Sequence, residues 1–193
     1  MPQLSSAGRY GGAVPERAPA PAGLELIGGP EKRSIEIVEY DPQWPERFRH
    51  ERDRIAAALG RAAIRIDHVG STAVPGLAAK PIVDINLIVA DVEDEASYLP
   101  ALERAGYELR VREPGHRMVR TRARDVHVHI CTAGSDWERR HLRFRDQLRR
   151  SGQDRALYER VKRQLAARDW PTMNDYADAK SAVIAEILSR AGS

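Results

Sequence analysis

Residues 64–89, IRIDHVGSTAVPGLAAKPIVDINLIV, decide the fold. Ile64 and Ile66 alternate with polar residues and lead into Asp67-His68-Val69. A small-residue turn, Gly70-Ser71-Thr72, follows, and then Pro75-Gly76, which cannot sit inside a regular element. After Lys80-Pro81 the chain turns apolar and β-branched from Ile82 to Val89, broken only by Asp84 and Asn86. The period is that of strand, loop and buried strand. Positions 84 and 86 are two apart, so both polar side chains leave the same face. Two polar groups on one face of a buried strand are costly unless something pairs with them. A local hydrogen-bond network or a wet edge would satisfy them. A binding site would do so too. Gly70 would let a phosphate approach the backbone, and the hydroxyls of Ser71 and Thr72 would add to that turn. Asp84 is a hard oxygen ligand for a divalent cation that neutralises a triphosphate.

Outward from this stretch, Ser34–Tyr40 (SIEIVEY) alternates as a strand. Asp41 reads as an N-cap before Pro42 and a helix carrying Trp44, Phe48, Ile55 and Leu59 on one face, ended by Gly60. Glu93–Ala105 reads as a second helix. Strands are expected at 107–111 and 118–121 around Glu113-Pro114-Gly115, and at 125–132. Helices are expected at 136–150, 153–168 and 174–190. Residues 1–33, rich in Pro, Gly and Ala with no period, read as a disordered tail. The domain is then 34–193, an α+β fold with a mixed sheet packed against helices.

Composition bounds the function. The chain has 193 residues, enough for one domain with a core and rather short for two. Its 31 basic and 28 acidic side chains leave a net charge of +3, which argues against a dedicated nucleic-acid binder. A single cysteine, Cys131, excludes a disulfide framework and a cysteine metal cage. No apolar run is long enough to span a membrane, no signal-peptide core is visible at the N-terminus, and a cytoplasmic location is expected.

In DVHVHICT (125–132), Asp125, His127 and His129 share one strand face. Imidazoles at i and i+2 can both ligate a metal, although a solvated outer face gives the same pattern. His68 lies just before the turn and His116 within the Pro114-Gly115 turn. Lys80 closes the loop, within reach of a phosphate or of the sheet edge. Arg117 and Arg120 are natural partners for a negative substrate. Tyr176 and Lys180, four apart on a helix, share a side.

HVGSTAVPGLAAKPIVDI (68–85), with VEYDPQWPERF (38–48), WERRHLRFRDQLR (137–149) and YADAKSAVIAEIL (176–188), resembles the GrpB family. That family is similar to the nucleotidyltransferase superfamily of the DNA polymerase β type. The resemblance implies a nucleotidyltransferase-like sheet with a C-terminal helical segment. It puts Asp84 at the first metal-binding carboxylate and Asn86, an amide, at the second. The strand with His127 and His129 falls where that superfamily places its third carboxylate. Tyr176 and Lys180 match a Tyr-x-x-x-Lys pattern that can reach over the cleft. The implied site has Asp84, Asn86, His127 and His129 as catalytic residues, with Asp84, His127 and His129 holding the metal. Mg²⁺ or Mn²⁺ is the implied ion, with Zn²⁺ or Ni²⁺ suited to the softer donors. Gly70, Ser71, Thr72, Lys80, Arg117 and Arg120 would bind phosphate. The implied reaction moves a nucleotidyl or phosphoryl group from an NTP to a small-molecule acceptor. Two alternatives stand beside it. One is a non-catalytic nucleotide- or CoA-like-ligand-binding domain that stabilises a partner protein. The other is unrelated metal chemistry through His127 and His129.

Overall fold

The computed structural model describes residues 23–191. Strands β1 (Glu25–Leu26), β2 (Arg65–Val69), β3 (Val83–Val89), β4 (Tyr107–Glu113), β5 (His116–Thr121) and β6 (Val126–Thr132) form one sheet in the order β1-β4-β5-β6-β3-β2. β3 and β6 pair in parallel and the other neighbours are antiparallel, so the sheet is mixed and the fold is α+β.

The alternation of β3 decides what each face of the sheet meets. Val83, Ile85, Leu87 and Val89 are buried in a core that also takes Val126, Val128 and Ile130 of β6. Helices α1 (Trp44–Leu59) and α2 (Leu99–Arg104) cover that face, adding Trp44, Ile55, Leu99 and Leu102. α1 begins with Pro45 in its first turn, and Gly60 ends it with a positive φ of 52°. Its N-cap is Gln43 rather than the expected Asp41, whose Oδ1 accepts a hydrogen bond from Gln43 N and shapes the turn before the helix.

The other face carries Asp84, Asn86, His127 and His129, and the C-terminal helices close over it. These are α3 (Asp136–Arg150), α4 (Gly152–Ala166), α5 (Met173–Asp178) and α6 (Ser181–Arg190). Ser135, Ser151 and Thr172 cap α3, α4 and α5, each accepting from a backbone N–H three residues on. A second core, with Leu148, Tyr158, Val161, Trp170, Tyr176 and Ile187, joins these helices to Val74 and Leu77 of the central loop.

Four further expectations need correction. Residues 34–40 form no strand beyond one bridge, Val38 with Ala79. The helix expected at 93–105 is helical only from Leu99, after a short 3-10 turn at 95–97. The helix expected at 174–190 is two, parted at Ala179-Lys180. Residues 23–33, expected to be disordered, add β1 to the edge of the sheet; the rest of that expectation, 1–22, lies outside the described residues. No helix among the described residues is long and apolar enough to cross a membrane.

Candidate active site

A cleft of about 500 Å³ lies between the polar face of the sheet and the C-terminal helices. Its floor is set by register. Asp84 lies opposite His127, and Asn86 opposite His129, across the parallel β3–β6 pair. Asp84 Oδ1 is 3.6 Å from His127 Nδ1 and 3.7 Å from His129 Nε2, too long for hydrogen bonds. One donor atom from each of the three lies within 4.8 Å of the others. An ion with bonds of roughly 2.1 Å to each would span that triangle. One carboxylate and two imidazoles suit Zn²⁺, Mn²⁺ or Ni²⁺ better than Mg²⁺, which prefers oxygen alone.

Gly70 makes room for this carboxylate. Its φ is +68°, and a Cβ there would come within 2.5 Å of Asp84 Oδ2. Burial alone would push the Asp84 carboxyl up. Contact with His129 and the positive fields of His127, His129 and Lys80 outweigh burial and hold the carboxyl at about 2. Burial brings His127 down to about 4 against the pull of Asp84. The pair is therefore a carboxylate beside a neutral imidazole at neutral pH, the ionisation state that binds a cation.

Behind the floor, Glu113 Oε1 is 2.7 Å from His116 Nδ1, and His116 Nε2 is 3.1 Å from His129 Nδ1. The carboxylate only accepts, so His116 Nδ1 carries the proton and its Nε2 accepts from His129 Nδ1–H. In that tautomer His129 Nε2 would offer its lone pair to a cation held with Asp84, the arrangement that a carboxylate behind a metal-bound histidine imposes. Trp137 stacks on His116 at 3.8 Å between ring centroids. Asn86 is fully buried and spoken for differently. Its Oδ1 is 3.0 Å from His141 Nδ1, while its Nδ2 has no partner.

One wall is basic. The chain has four lysines, and Lys80, Lys162 and Lys180 all line this cleft with Ser71. Lys80 Nζ and Lys180 Nζ stand 5.2 Å and 4.7 Å from the centre of the Tyr176 ring. Lys162 Nζ lies 4.8 Å from that of Tyr158 and donates to Ala78 O at 2.5 Å. Burial, with Lys180 adding, lowers Lys162 to about 7; burial, with Lys80 adding, lowers Lys180 to about 8. Asp84 acts on all three lysines, and Glu159 adds to it at Lys162 and Asp178 at Lys180.

Of the residues expected here, Gly70, Ser71, Lys80, Asp84, Arg120, His127, His129, Tyr176 and Lys180 come together at the cleft. Asn86 lies beneath it. Three do not join. His68 is buried on the other side of β2, stacked on Phe48 at 4.7 Å and 3.0 Å from Thr72 Oγ1, so His68 and Thr72 satisfy each other. Arg117 points away because it is three residues from Arg120 on a strand, and so on the opposite face. Its guanidinium binds Glu95 and Glu93 at 2.6 Å each. Trp137, His141, Tyr158 and Lys162 line the site without having been expected to. The rarity of lysine is the signal for Lys162. The i, i+4 pair Trp137 and His141 is the signal for the other wall.

These features define a class, an α+β domain whose mixed sheet turns a carboxylate–histidine floor toward a lysine-walled cleft. The chain belongs to the GrpB family: the model described as "GrpB protein" matches residues 34–190. It is 56% identical over 176 residues to a UPF0157 protein of Streptomyces coelicolor, covering 91% of this chain and 94% of that one. It is 48% identical over 165 residues to a UPF0157 protein of Halalkalibacterium halodurans, covering 84% and 85%. The crystal structure of the conserved protein GrpB from Enterococcus faecalis is similar with a TM-score of 0.71 and 34% identity, covering 81% of this chain and 96% of that chain.

Proposed function

We propose that the protein is a metal-dependent enzyme that moves a nucleotidyl or related phosphoryl group from an NTP to a small acceptor. The observation that carries this reading is the convergence of three of the four lysines on the cleft floored by Asp84, His127 and His129. Lys80 and Lys180, with Lys162 drawn into its charged form by a bound anion, make a strong site for a polyphosphate, since burial strengthens their fields. Ser71, beside them, adds a hydroxyl donor. A divalent ion held by Asp84, His127 and His129 would polarise a phosphoryl oxygen as a Lewis acid. Glu113 and His116 hold the His129 ring in the tautomer that keeps its Nε2 free. The resemblance of the Gly70-Ser71 loop and the Asp84 strand to the nucleotidyltransferase pattern supports the same reading.

The test is thermal and calorimetric binding of ATP with Mn²⁺, Zn²⁺ or Mg²⁺, followed by assay for pyrophosphate release. A ligand at a hundred times its dissociation constant adds about 2.7 kcal/mol of stability. A Lys80→Met, Lys180→Met variant is expected to lose most of the ATP-induced shift while still binding the metal. An intact shift would place the ligand elsewhere.

Asn86 favours a second reading, a nucleotide- or CoA-like-ligand-binding domain without turnover. The position of the second carboxylate holds an amide bound to His141, and a two-metal mechanism would suffer from that loss.

A further inference from the structure

Residues 23–33 precede the part of the chain matched to the family and cross the mouth of the cleft as a strap. One end is anchored on the sheet. β1 pairs with β4, and Arg110 donates to Ile27 O and, at 2.6 Å, to Gly29 O. The other end reaches the C-terminal helices, where Met173 N donates to Glu31 O at 2.9 Å and Lys32 Nζ meets Asp169 at 2.9 Å. Between these anchors the carboxylate of Glu31 takes both arms of Arg120, at 3.0 and 2.8 Å. Arg124 and Arg110 stand 3.7 and 4.0 Å from the same oxygen.

Arg120 lies directly opposite His127 across the β5–β6 pair, on the face that carries the candidate metal ligands. It is thus a planar two-pronged anion receptor beside the reaction centre, geometry that suits a phosphate as well as a carboxylate. Two further guanidiniums stand beside it. The carboxylate in place is supplied by the protein itself, from the segment just before the part that the family model matches.

We infer that Arg120, with Arg110 and Arg124, forms a second anion subsite that Glu31 fills as a tethered stand-in, and that a phosphate of the bound ligand displaces it. The strap then acts as a competitive plug. The affinity measured for a phosphate ligand is the intrinsic affinity reduced by the fraction of molecules in which Glu31 occupies the arginines. Displacement is sterically open, because the Glu31 side chain keeps about a fifth of its surface in solvent and the Lys32–Asp169 anchor is exposed. This inference rests on the phosphate-binding reading of the cleft.

The experiment compares the binding of pyrophosphate and of ATP, with Mn²⁺ present, by full-length wild type, Glu31→Gln and Lys32→Ala. Glu31→Gln keeps the length of the side chain and removes its charge. It is expected to tighten binding roughly tenfold or more, the signature of a lost competitor. Lys32→Ala removes one exposed ion pair, which contributes little, and leaves the Glu31–Arg120 pair and the Met173 anchor in place, so its affinity is expected to stay within about twofold of wild type. A second readout is trypsin cleavage after Lys32 and Arg33 in wild type, which saturating pyrophosphate should accelerate as the strap lifts. Unchanged affinity in Glu31→Gln, or equal tightening in Lys32→Ala, overturns the inference. So does cleavage that pyrophosphate leaves unchanged. If wild type binds the ligand and Glu31→Gln gains nothing, only the plug falls. If no protein binds either probe, the phosphate reading of the cleft falls with it.

Discussion

Asn86 is the residue on which the chemistry divides. It is fully buried, accepts from His141 and leaves an amide hydrogen-bond donor unpartnered. An aspartate there would keep the acceptor and remove the orphan, yet would set a second carboxylate on the Asp84 face. Without a cation the two charges raise each other's pKa, and Asn86→Asp should cost about 3 kcal/mol of stability in metal-free protein. For the transferase reading, Mn²⁺ should restore that loss and bind more tightly than to wild type. Titration calorimetry and thermal melts with and without Mn²⁺ decide it; loss without rescue would favour the pocket that binds and does not turn over.

At the scale of elements, the two faces of a strand separate arginines that look alike in sequence. Arg117 and Arg120 sit three apart on β5, one buried against Glu95 and Glu93, the other on the cleft. Arg117→Met should therefore lower stability by roughly 2 kcal/mol, since it removes a buried guanidinium that Glu95, Glu93 and the Glu113 carbonyl share, although Glu95 keeps Arg112. Pyrophosphate affinity should stay within about twofold of wild type. A large loss of affinity with little change in melting temperature would contradict the assigned faces. The central strand–loop–strand was legible because its period and its breakers agree, and β6 because Val126, Val128 and Ile130 alternate with His127 and His129. The two long helices after Ser135 and Ser151 carried clear amphipathic seams. SIEIVEY was misleading, since alternation shows an extended chain that can lie in a sheet but does not supply a neighbour to pair with. The interruption at Ala179-Lys180 has no glycine or proline to announce it. The strap was hidden for another reason. The pairing of Glu31 with Arg120 joins residues 89 apart, beyond any local pattern.

For the molecule as a whole, buried histidines set the response to acid. Burial lowers His68, His116 and His127 to about 4 and His141 to about 3, from an ordinary 6.5. The unfolded chain therefore takes up protons before the native state does. Stability is intact above pH 6.5 and falls as the pH drops toward 4. Each such group removes up to about 1.4 kcal/mol per pH unit across that window. Melting temperatures of metal-free protein from pH 7.5 to 4.5 should show this steep decline, and His68→Asn should flatten it without altering metal affinity. A curve that stays level to pH 5 would mean these rings are already charged in the fold. The cleft itself was half legible. Asp84, His127 and His129 stood out as polar residues on apolar strands. Lys162, Trp137 and His141 sit on helices whose charged faces look like any solvated surface until the sheet is placed beneath them.

The close approach of Gly70 to Asp84 couples two positions in heredity. Any side chain at 70 would occupy the space of the carboxylate oxygen, so the glycine is free to drift only after the acid has been shortened or lost. The pair then changes in a fixed order, acid first and glycine second. Among descendants of such a chain, one with a bulky residue at 70 would mark a lineage that had already given up the carboxylate.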